Sequence, residues 1–407
     1  MTELDPDLIR SHFPAFSEPS LQGQAFFENA GGSYPCRFVT DRLERFYRER
    51  KVQPYAPYDA SRVAGEEMDE AQTRLAAMLG VADDEVSFGP STTQNVYVLA
   101  QAFREWLAPG DAIVVSNQDH EANAGAWRRL ASAGIEVREW ALESTTGHLD
   151  PEALAPLLDG AKLLCFPHCS NVVGEVNDVA AITRLAHAAG AVVCVDGVSY
   201  APHGFPDMGA LGADIYLFSA YKTYGPHQGI MVVRRALGMA LPNQGHGFNG
   251  AALDKRFTPA GPDHAQVAAC AGMADYVDAL YAGLQAPHAG PSLRAAVVHD
   301  AMRARETALL EPLMAYLANR NDVRLLGPED AALRAPTVAL YHEKPGEVLA
   351  AALAPHGINA GGGDFYAVRP LEAMGLDPAH GVLRLSFTHY TTHDEIDRLI
   401  RALDHVL

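Results

Sequence analysis

Short apolar runs, each ending in polar residues, recur through the first two thirds of the chain. Runs of about five apolar residues bounded by turn signals are typical of buried parallel strands. The pattern predicts such strands at residues 111–116, 162–167, 191–195 and 215–218. Residues 178–190 have a helical pattern that ends in glycine, and the alternation of strand, helix and strand predicts a mainly parallel sheet.

The remainder of the chain follows a different pattern. Residues 1–20 predict a short helix and a proline-bounded linker, and residues 242–262 are irregular. After helices at 264–282 and 292–318, the order is strand, strand, helix, strand, helix, at residues 323–326, 337–341, 346–356, 382–387 and 392–406. We predict a large domain over residues 21–285 and a small α/β domain over residues 1–20 and 286–407.

Composition narrows the class of protein. A chain of 407 residues with 48% hydrophobic and 20% charged residues is typical of a globular protein with a large core. A net charge of −19 argues against nucleic acid or an anionic membrane as partner. The N-terminus lacks the pattern of a secretory signal, and no apolar run approaches the roughly 20 residues of a membrane span. A cytoplasmic protein with reduced thiols is therefore predicted.

The five cysteines do not indicate a metal site. None of them forms a Cys-x-x-Cys pair. Cys165 and Cys169 flank His168, but a second pair of ligands is missing, so no metal is predicted.

Two chemically suggestive residues follow the strands predicted at 191–195 and 215–218. Asp196 ends the first, and Lys222, one of five lysines, lies between the second and the Gly225-Pro226 turn. Because ligands bind beyond the carboxyl ends of parallel strands, both side chains are predicted to face one crevice. A buried lysine can form a Schiff base, and a carboxylate can hold a pyridinium protonated, which together suit pyridoxal 5'-phosphate (PLP). The plain alternative is a salt bridge at a strand edge.

The stretch VDG at residues 195–197 and the stretch DIYLFSAYKTYGP at residues 214–226 together resemble the class V aminotransferase family. The nearest branch is the cysteine desulfurase-like group, and the resemblance extends from about residue 27 to residue 406. It implies a fold type I PLP-dependent enzyme, with a mainly parallel central sheet in a large PLP-binding domain and a small C-terminal α/β domain. It also implies an amino-acid substrate and a homodimer.

The resemblance assigns roles to residues that are ambiguous alone. Ser91, Thr92 and Thr93 match the segment that binds the PLP phosphate, although an ordinary helix N-cap has the same composition. His120 matches a histidine that stacks on the pyridine ring and can relay protons, and Asn171 matches an asparagine against the phenolic oxygen. The catalytic candidates are Lys222, Asp196 and His120; the cofactor-binding candidates are Ser91, Thr92, Thr93, His120, Asn171, Asp196, Ser199, Ser219, Tyr221 and Lys222; the substrate-binding candidates are Arg384, Asn29 and Gly31.

Arg384 is assigned to the substrate carboxylate because a guanidinium fork matches that group in two places. On the sequence alone, a surface arginine on a strand is an equal interpretation.

The sequence departs from cysteine desulfurases at several places. Residues 357–370, which match the mobile loop of that branch, contain no cysteine, and Tyr366 stands near the position of the thiolate. Tyr221 replaces a histidine, Ser199 replaces a frequent glutamine, and Pro262 replaces a threonine that contacts the partner subunit. Desulfuration through a protein persulfide is therefore not expected.

The resemblance implies reaction through an external aldimine and a Cα carbanion, but it leaves the fate of the carbanion open. A lyase-type elimination or substitution at the side chain is favoured. Transamination with a keto acid is the alternative, and epimerisation is third. A non-catalytic PLP sensor is disfavoured because Lys222 is retained and no basic extension is present.

Overall fold

The computed structural model describes residues 4–407, so residues 1–3 of the predicted N-terminal segment lie outside the described residues. The strands are β1 Ala25–Phe26, β2 Val86–Gly89, β3 Ala112–Ser116, β4 Glu136–Trp140, β5 Ala161–Pro167, β6 Val192–Asp196, β7 Ile215–Ser219, β8 Gly229–Val233, β9 Arg324–Leu326, β10 Thr337–Tyr341, β11 Ile358–Asn359, β12 Gly361–Gly363 and β13 Val382–Ser386.

The helices are α1 Pro6–Ser11, α2 Arg37–Glu49, α3 Asp59–Leu79, α4 Thr92–Trp106, α5 Glu121–Arg128, α6 Pro151–Leu154, α7 Val179–Ala188, α8 Met208–Leu211, α9 Arg235–Ala240, α10 Leu253–Arg256, α11 His264–Ala269, α12 Ala271–Gly283, α13 Pro291–Leu317, α14 Gly346–Leu353, α15 Val368–Ala373 and α16 His393–Val406. None of the helices within residues 4–407 has the length and apolar composition needed to cross a membrane.

The central sheet has the strand order β2-β8-β7-β6-β5-β3-β4. Only β8 runs antiparallel to its neighbours, so the predicted mainly parallel sheet is confirmed. Alternate residues of β7 enter different cores, Tyr216 and Phe218 on one face and Ile215 and Leu217 on the other. Burial of both faces explains why these strands are continuous apolar runs and not alternating ones.

Local signals begin and end the helices that flank this sheet. Asp178 caps α7 by accepting a hydrogen bond from the Ala181 N–H, and Gly80 ends α3 in the left-handed conformation at φ 71°. The helix predicted over residues 264–282 is two helices, α11 and α12, which meet at Cys270.

The C-terminal part forms a separate four-stranded antiparallel sheet of order β12-β13-β10-β9. The domain boundary predicted at residue 21 stays a prediction; β1, which follows it, pairs with β11, and Phe27 packs into the C-terminal core. Backbone pairing with a strand more than 300 residues away could not be inferred from two apolar residues. β12 also lies inside the segment 357–370, which the sequence predicts as a loop.

Candidate functional site

The carboxyl ends of β6 and β7 open onto a cavity of about 200 Å³. Asp196 is the last residue of β6, and Lys222 lies in the 3₁₀ turn that follows β7. All ten predicted cofactor-binding residues line this cavity: Ser91, Thr92, Thr93, His120, Asn171, Asp196, Ser199, Ser219, Tyr221 and Lys222. The connections between the parallel strands therefore bring together residues that span 132 positions of the chain.

Lys222 is buried but does not form the salt bridge that the sequence leaves possible. Among the described residues, its ammonium forms neither a hydrogen bond nor an ion pair, and the Tyr221 ring centroid lies 6.0 Å away. Burial lowers the pKa of Lys222 to about 8, and the Arg384 charge acts in the same direction. An unpaired amine with this pKa is partly unprotonated near neutral pH, as a nucleophile toward a carbonyl requires.

Asp196 places a buried carboxylate in the same cavity as Lys222. Its Oδ1 accepts a hydrogen bond of 2.8 Å from the Val198 N–H. Burial raises the pKa of Asp196 to about 6, while that hydrogen bond and the Lys222 charge oppose the rise. A buried carboxylate of this kind is stabilised by a cationic partner, and a protonated ring nitrogen would supply one.

His120 is held in one tautomer by its position at the start of α5. Its Nδ1 accepts a 3.0 Å hydrogen bond from the Ala122 N–H, which places the ring proton on Nε2. Burial lowers the pKa of His120 to about 3, helped by the charges of Lys222 and Arg384. The side chain is therefore a neutral ring with one N–H to donate.

Hydroxyl groups and backbone N–H groups gather where β2 leads into α4. Ser91 caps α4 by accepting a hydrogen bond from the Gln94 N–H, and the hydroxyls of Thr92 and Ser219 lie 2.8 Å apart. A Cβ at Gly229 would lie 2.7 Å from the Thr92 nitrogen, so glycine there allows β8 to approach the helix start. The N-terminus of this 15-residue helix attracts anions through its free N–H groups and dipole.

Asn171 carries a polar atom without a partner. Its Nδ2 donates a 3.0 Å hydrogen bond to the Phe365 carbonyl, whereas its Oδ1 is buried and has no hydrogen-bond partner among residues 4–407. A buried acceptor left unpaired costs stability, and a donor on a bound molecule would remove that cost.

These residues fit PLP on their own chemistry. An unpaired amine faces a cavity that also holds a carboxylate, a neutral imidazole and an amide oxygen without a partner. Hydroxyls at a helix N-terminus suit the phosphate. These five features come from five different segments of the chain, so the fold and not sequence proximity brings them together.

The three predicted substrate-binding residues do not line the cavity. Arg384 is 3% exposed, and Gly31 is exposed on the surface. The Asn29 Nδ2 donates to the Ser386 carbonyl at 3.3 Å, and its Oδ1 accepts from the Tyr390 hydroxyl. The roles of these three residues in substrate binding stay predictions. A contact between the substrate and the Arg384 guanidinium would require the residues around Arg384 to move.

The cavity also contains residues that the sequence does not single out: Ala122, Pro167, Cys169, Val198 and His227. The His227 ring stacks on Tyr221, with ring centroids 5.0 Å apart and planes 10° apart. The sequence feature that could have indicated His227 is its position directly after the Gly225-Pro226 turn.

PLP capture by the apoenzyme is expected to accelerate as pH rises from about 6 to about 10, with a midpoint near 8. Only the unprotonated amine of Lys222 attacks an aldehyde, so the rate increases as the proton is lost and levels off above the pKa. Stopped-flow absorbance after mixing with excess PLP measures the rate. A midpoint near the ordinary lysine value of about 10.4 would contradict the burial argument.

Comparisons with known proteins agree with this geometry. The family model "Aminotransferase class-V" matches residues 25–399. The aminotransferase-like protein FGM3 of Gibberella zeae is 33% identical over 98% of each chain, and a cysteine desulfurase of Yersinia pestis is 30% identical over 98% of this chain and 97% of its own. The apo structure of cysteine desulfurase from Thermococcus onnurineus NA1 superposes with a TM-score of 0.86 at 20% identity, covering 100% of this chain and 99% of the other.

The structural likeness confirms the predicted fold type. Because the matching family depends on PLP, the family match also supports PLP as the cofactor. With a matching model over most of its length, the chain belongs to the class V aminotransferases, a family of PLP-dependent enzymes.

Proposed function

We propose that this enzyme removes the Cα proton of an amino acid and then cleaves or replaces a group on its side chain, without forming a protein persulfide. When bound, PLP withdraws electrons from the Cα of the attached amino acid and makes its Cα–H acidic. The observation that supports this most directly is the buried, unpaired Lys222 amine in a cavity shared with Asp196.

Some residues around the cavity are suited to binding the cofactor, and others are suited to transferring protons. The helix start at Ser91–Thr93 suits the phosphate, and Asp196 suits the ring nitrogen. The Lys222 amine, with its lowered pKa, can accept the Cα proton and return one to the product. His120 stays neutral and can donate its Nε2–H to a leaving group or to the ring.

No thiol in the chain is suited to accept sulfur. The segment 357–370 contains no cysteine, and all five cysteines are buried. Cys169 borders the cavity, but burial raises the pKa of its thiol to about 12. A protonated thiol is a poor nucleophile, so sulfur released from a substrate would leave as free sulfide.

Alkylation of accessible thiols is therefore expected to leave turnover intact, and cysteine is expected to be at best a slow substrate. The measurement is turnover before and after iodoacetamide, with mass spectrometry of the intact protein. Cys169→Ser tests the thiol nearest the cavity, and Cys270→Ser, buried in a helix bend, is its matched control. A persulfide on any cysteine during turnover, with activity lost in its Ser variant, would return the protein to the desulfurases.

Product analysis tests the proposed reaction. The holoenzyme is incubated with an amino-acid panel, with and without a keto acid, and products are identified by mass spectrometry. Release of a side-chain group without a keto acid supports elimination. Amino-group transfer that requires the keto acid would replace the proposal by transamination, which the likeness to the aminotransferase-like protein FGM3 favours. Inversion at Cα alone would indicate epimerisation.

We also propose a cytoplasmic homodimer whose subunits meet near residues 242–262. A second cavity of about 370 Å³ lies beside this segment, and Tyr55 and Phe248 at its border are 62% and 86% exposed. Large exposed aromatic side chains around one concavity are typical of a protein interface. Pro262, which also borders the cavity, lacks the hydroxyl that the family often uses there.

Light scattering of the holoenzyme at micromolar concentration is expected to give twice the mass of the chain. Phe248→Glu is expected to shift the protein toward monomer, because it places a charge in an apolar interface. Leu293→Glu, at another exposed apolar position, is the control and should not. A fully active monomer at nanomolar concentration would contradict the dimer.

A further inference from the structure

Arg384 on β13 is held by a carboxylate of its own chain. Its Nη2 donates a 2.6 Å hydrogen bond to Oε1 of Glu28, and its Nη1 donates to the Asn171 carbonyl at 3.2 Å. The Phe365 ring covers the guanidinium, with its centroid 3.7 Å from Cζ. The guanidinium is therefore closed off from the cavity that contains Lys222, although its charge acts on that amine.

Two glycines leave room for the Glu28 carboxylate beside Arg384. A Cβ on Gly361 would lie 2.4 Å from its Oε2, and a Cβ on Gly31 would lie 2.8 Å from its Oε1. Any residue other than glycine at these two positions would displace the carboxylate. Its Oε2 is buried and has no hydrogen-bond partner in the described part of the chain, so one oxygen of Glu28 is left unsatisfied there.

The two partners differ in their freedom to move. The Arg384 side chain is 4% exposed and is held on three sides, whereas the Glu28 side chain is 28% exposed. A second carboxylate that approached Arg384 would meet a guanidinium already neutralised at short range. It would gain full attraction only when Glu28 leaves, because two carboxylates on one cation repel each other.

We infer that Glu28 is a specificity-determining residue that occupies Arg384 in the resting enzyme, and that the carboxylate of the substrate binds by exchanging with it. Glu28 then weakens the binding of any monocarboxylate that makes no further contacts, because the free energy of displacing Glu28 is subtracted from its affinity. This inference rests on the proposed function, since it assumes a substrate with a carboxylate.

The test uses propionate, which has a carboxylate but no amine to react at the cofactor. Calorimetric titration of the holoenzyme measures its dissociation constant in the wild type and in Glu28→Gln, which keeps the shape and removes the charge. We expect Glu28→Gln to bind propionate about tenfold more tightly or better, since a charge-assisted hydrogen bond no longer has to be displaced. A loss of structure would weaken binding, so the direction of the change separates exchange from damage.

Three controls sharpen this result. Glu66→Gln removes the carboxylate of an exposed ion pair with an arginine on α3 and should leave propionate binding unchanged. Propionamide, the neutral analogue of propionate, should bind wild type and Glu28→Gln alike. In an Arg384→Met background the gain from Glu28→Gln should shrink to less than about twofold, because the exchange partner is gone.

The outcomes decide the inference independently of the proposed function. Unchanged or weaker propionate binding in Glu28→Gln overturns the inference. An equal gain in affinity with and without Arg384 also overturns it, because the gain would then reflect only the loss of one negative charge near the site. If Glu28→Gln does not fold, Glu28→Asp, which withdraws the carboxylate by one methylene, takes its place with an expected gain of about threefold. Failure of the proposed function would show differently, as an absorbance spectrum that no amino acid changes in any variant.

Discussion

Replacing Lys222 with alanine is expected to lower turnover by about a thousandfold or more. The amine is the one group in the cavity that combines nucleophilicity toward an aldehyde with the capacity to take the Cα proton. A positioned acid or base alone contributes about 10² to 10⁴ in rate, and loss of the covalent attachment adds to this. The measurement is turnover of each variant after reconstitution with excess PLP.

Covalent labelling provides a readout that does not depend on turnover. Borohydride treatment of the wild type should fix the cofactor to the peptide that contains Lys222, and the Lys222→Ala protein should carry no label. Lys162→Ala is the matched control, because Lys162 is an exposed lysine on β5 of the same sheet. Wild-type turnover by a colourless Lys222→Ala protein would refute the assignment.

Replacing Asp196 with asparagine is expected to weaken PLP binding about tenfold to hundredfold and to reduce turnover more than that. Asparagine keeps the size of the side chain and its hydrogen bond from the Val198 N–H, but it cannot stabilise a protonated ring nitrogen. A charge-assisted hydrogen bond is worth about 1.5–3 kcal/mol in binding. The catalytic loss is larger because charge develops during the reaction in a buried site.

Equilibrium dialysis for PLP and steady-state kinetics separate the two effects in the Asp196→Asn variant. Asp178→Asn is the control, since Asp178 is an exposed N-cap and asparagine caps equally well. A variant that loses PLP affinity but keeps wild-type turnover at saturation would show that Asp196 only binds the cofactor. Unchanged values of both would show that the ring nitrogen has another partner.

The buried ionisable groups of the site influence one another, so these two variants are not independent. The Asp196 charge raises the pKa of Lys222, whereas burial and Arg384 lower it. Removing the Asp196 charge should therefore lower the pKa of Lys222 further and move the midpoint of PLP capture to lower pH. This shift provides an internal check on the geometry of the cavity.

Much of the fold could be predicted from local sequence, and the residues of the candidate cofactor site from local sequence together with the family resemblance. Strands buried on both faces are continuous apolar runs, so β5, β6 and β7 were visible, and the rule for parallel sheets placed Asp196 and Lys222 at one edge. The edge strand β4 was not predicted, because Glu-Val-Arg-Glu-Trp has three charged residues and no continuous apolar run. The ten predicted cofactor-binding residues all line the cavity, since each one ends a strand, follows a strand or lies at the start of a helix.

By itself, the sequence determined which residues are chemically able to act: an amine and a carboxylate behind two buried strands, hydroxyls at a helix start, and a loop without a thiol. Only the tertiary structure decided which of these groups are free. Within residues 4–407 it left Lys222 without an ion pair, but it closed Arg384 beneath Phe365 and onto Glu28, a partner 356 positions away. Such pairings depend on β1 pairing with β11 and on the bridge between Glu28 and Ser386 of β13, and contacts between segments so distant in the chain leave no periodic pattern in the sequence.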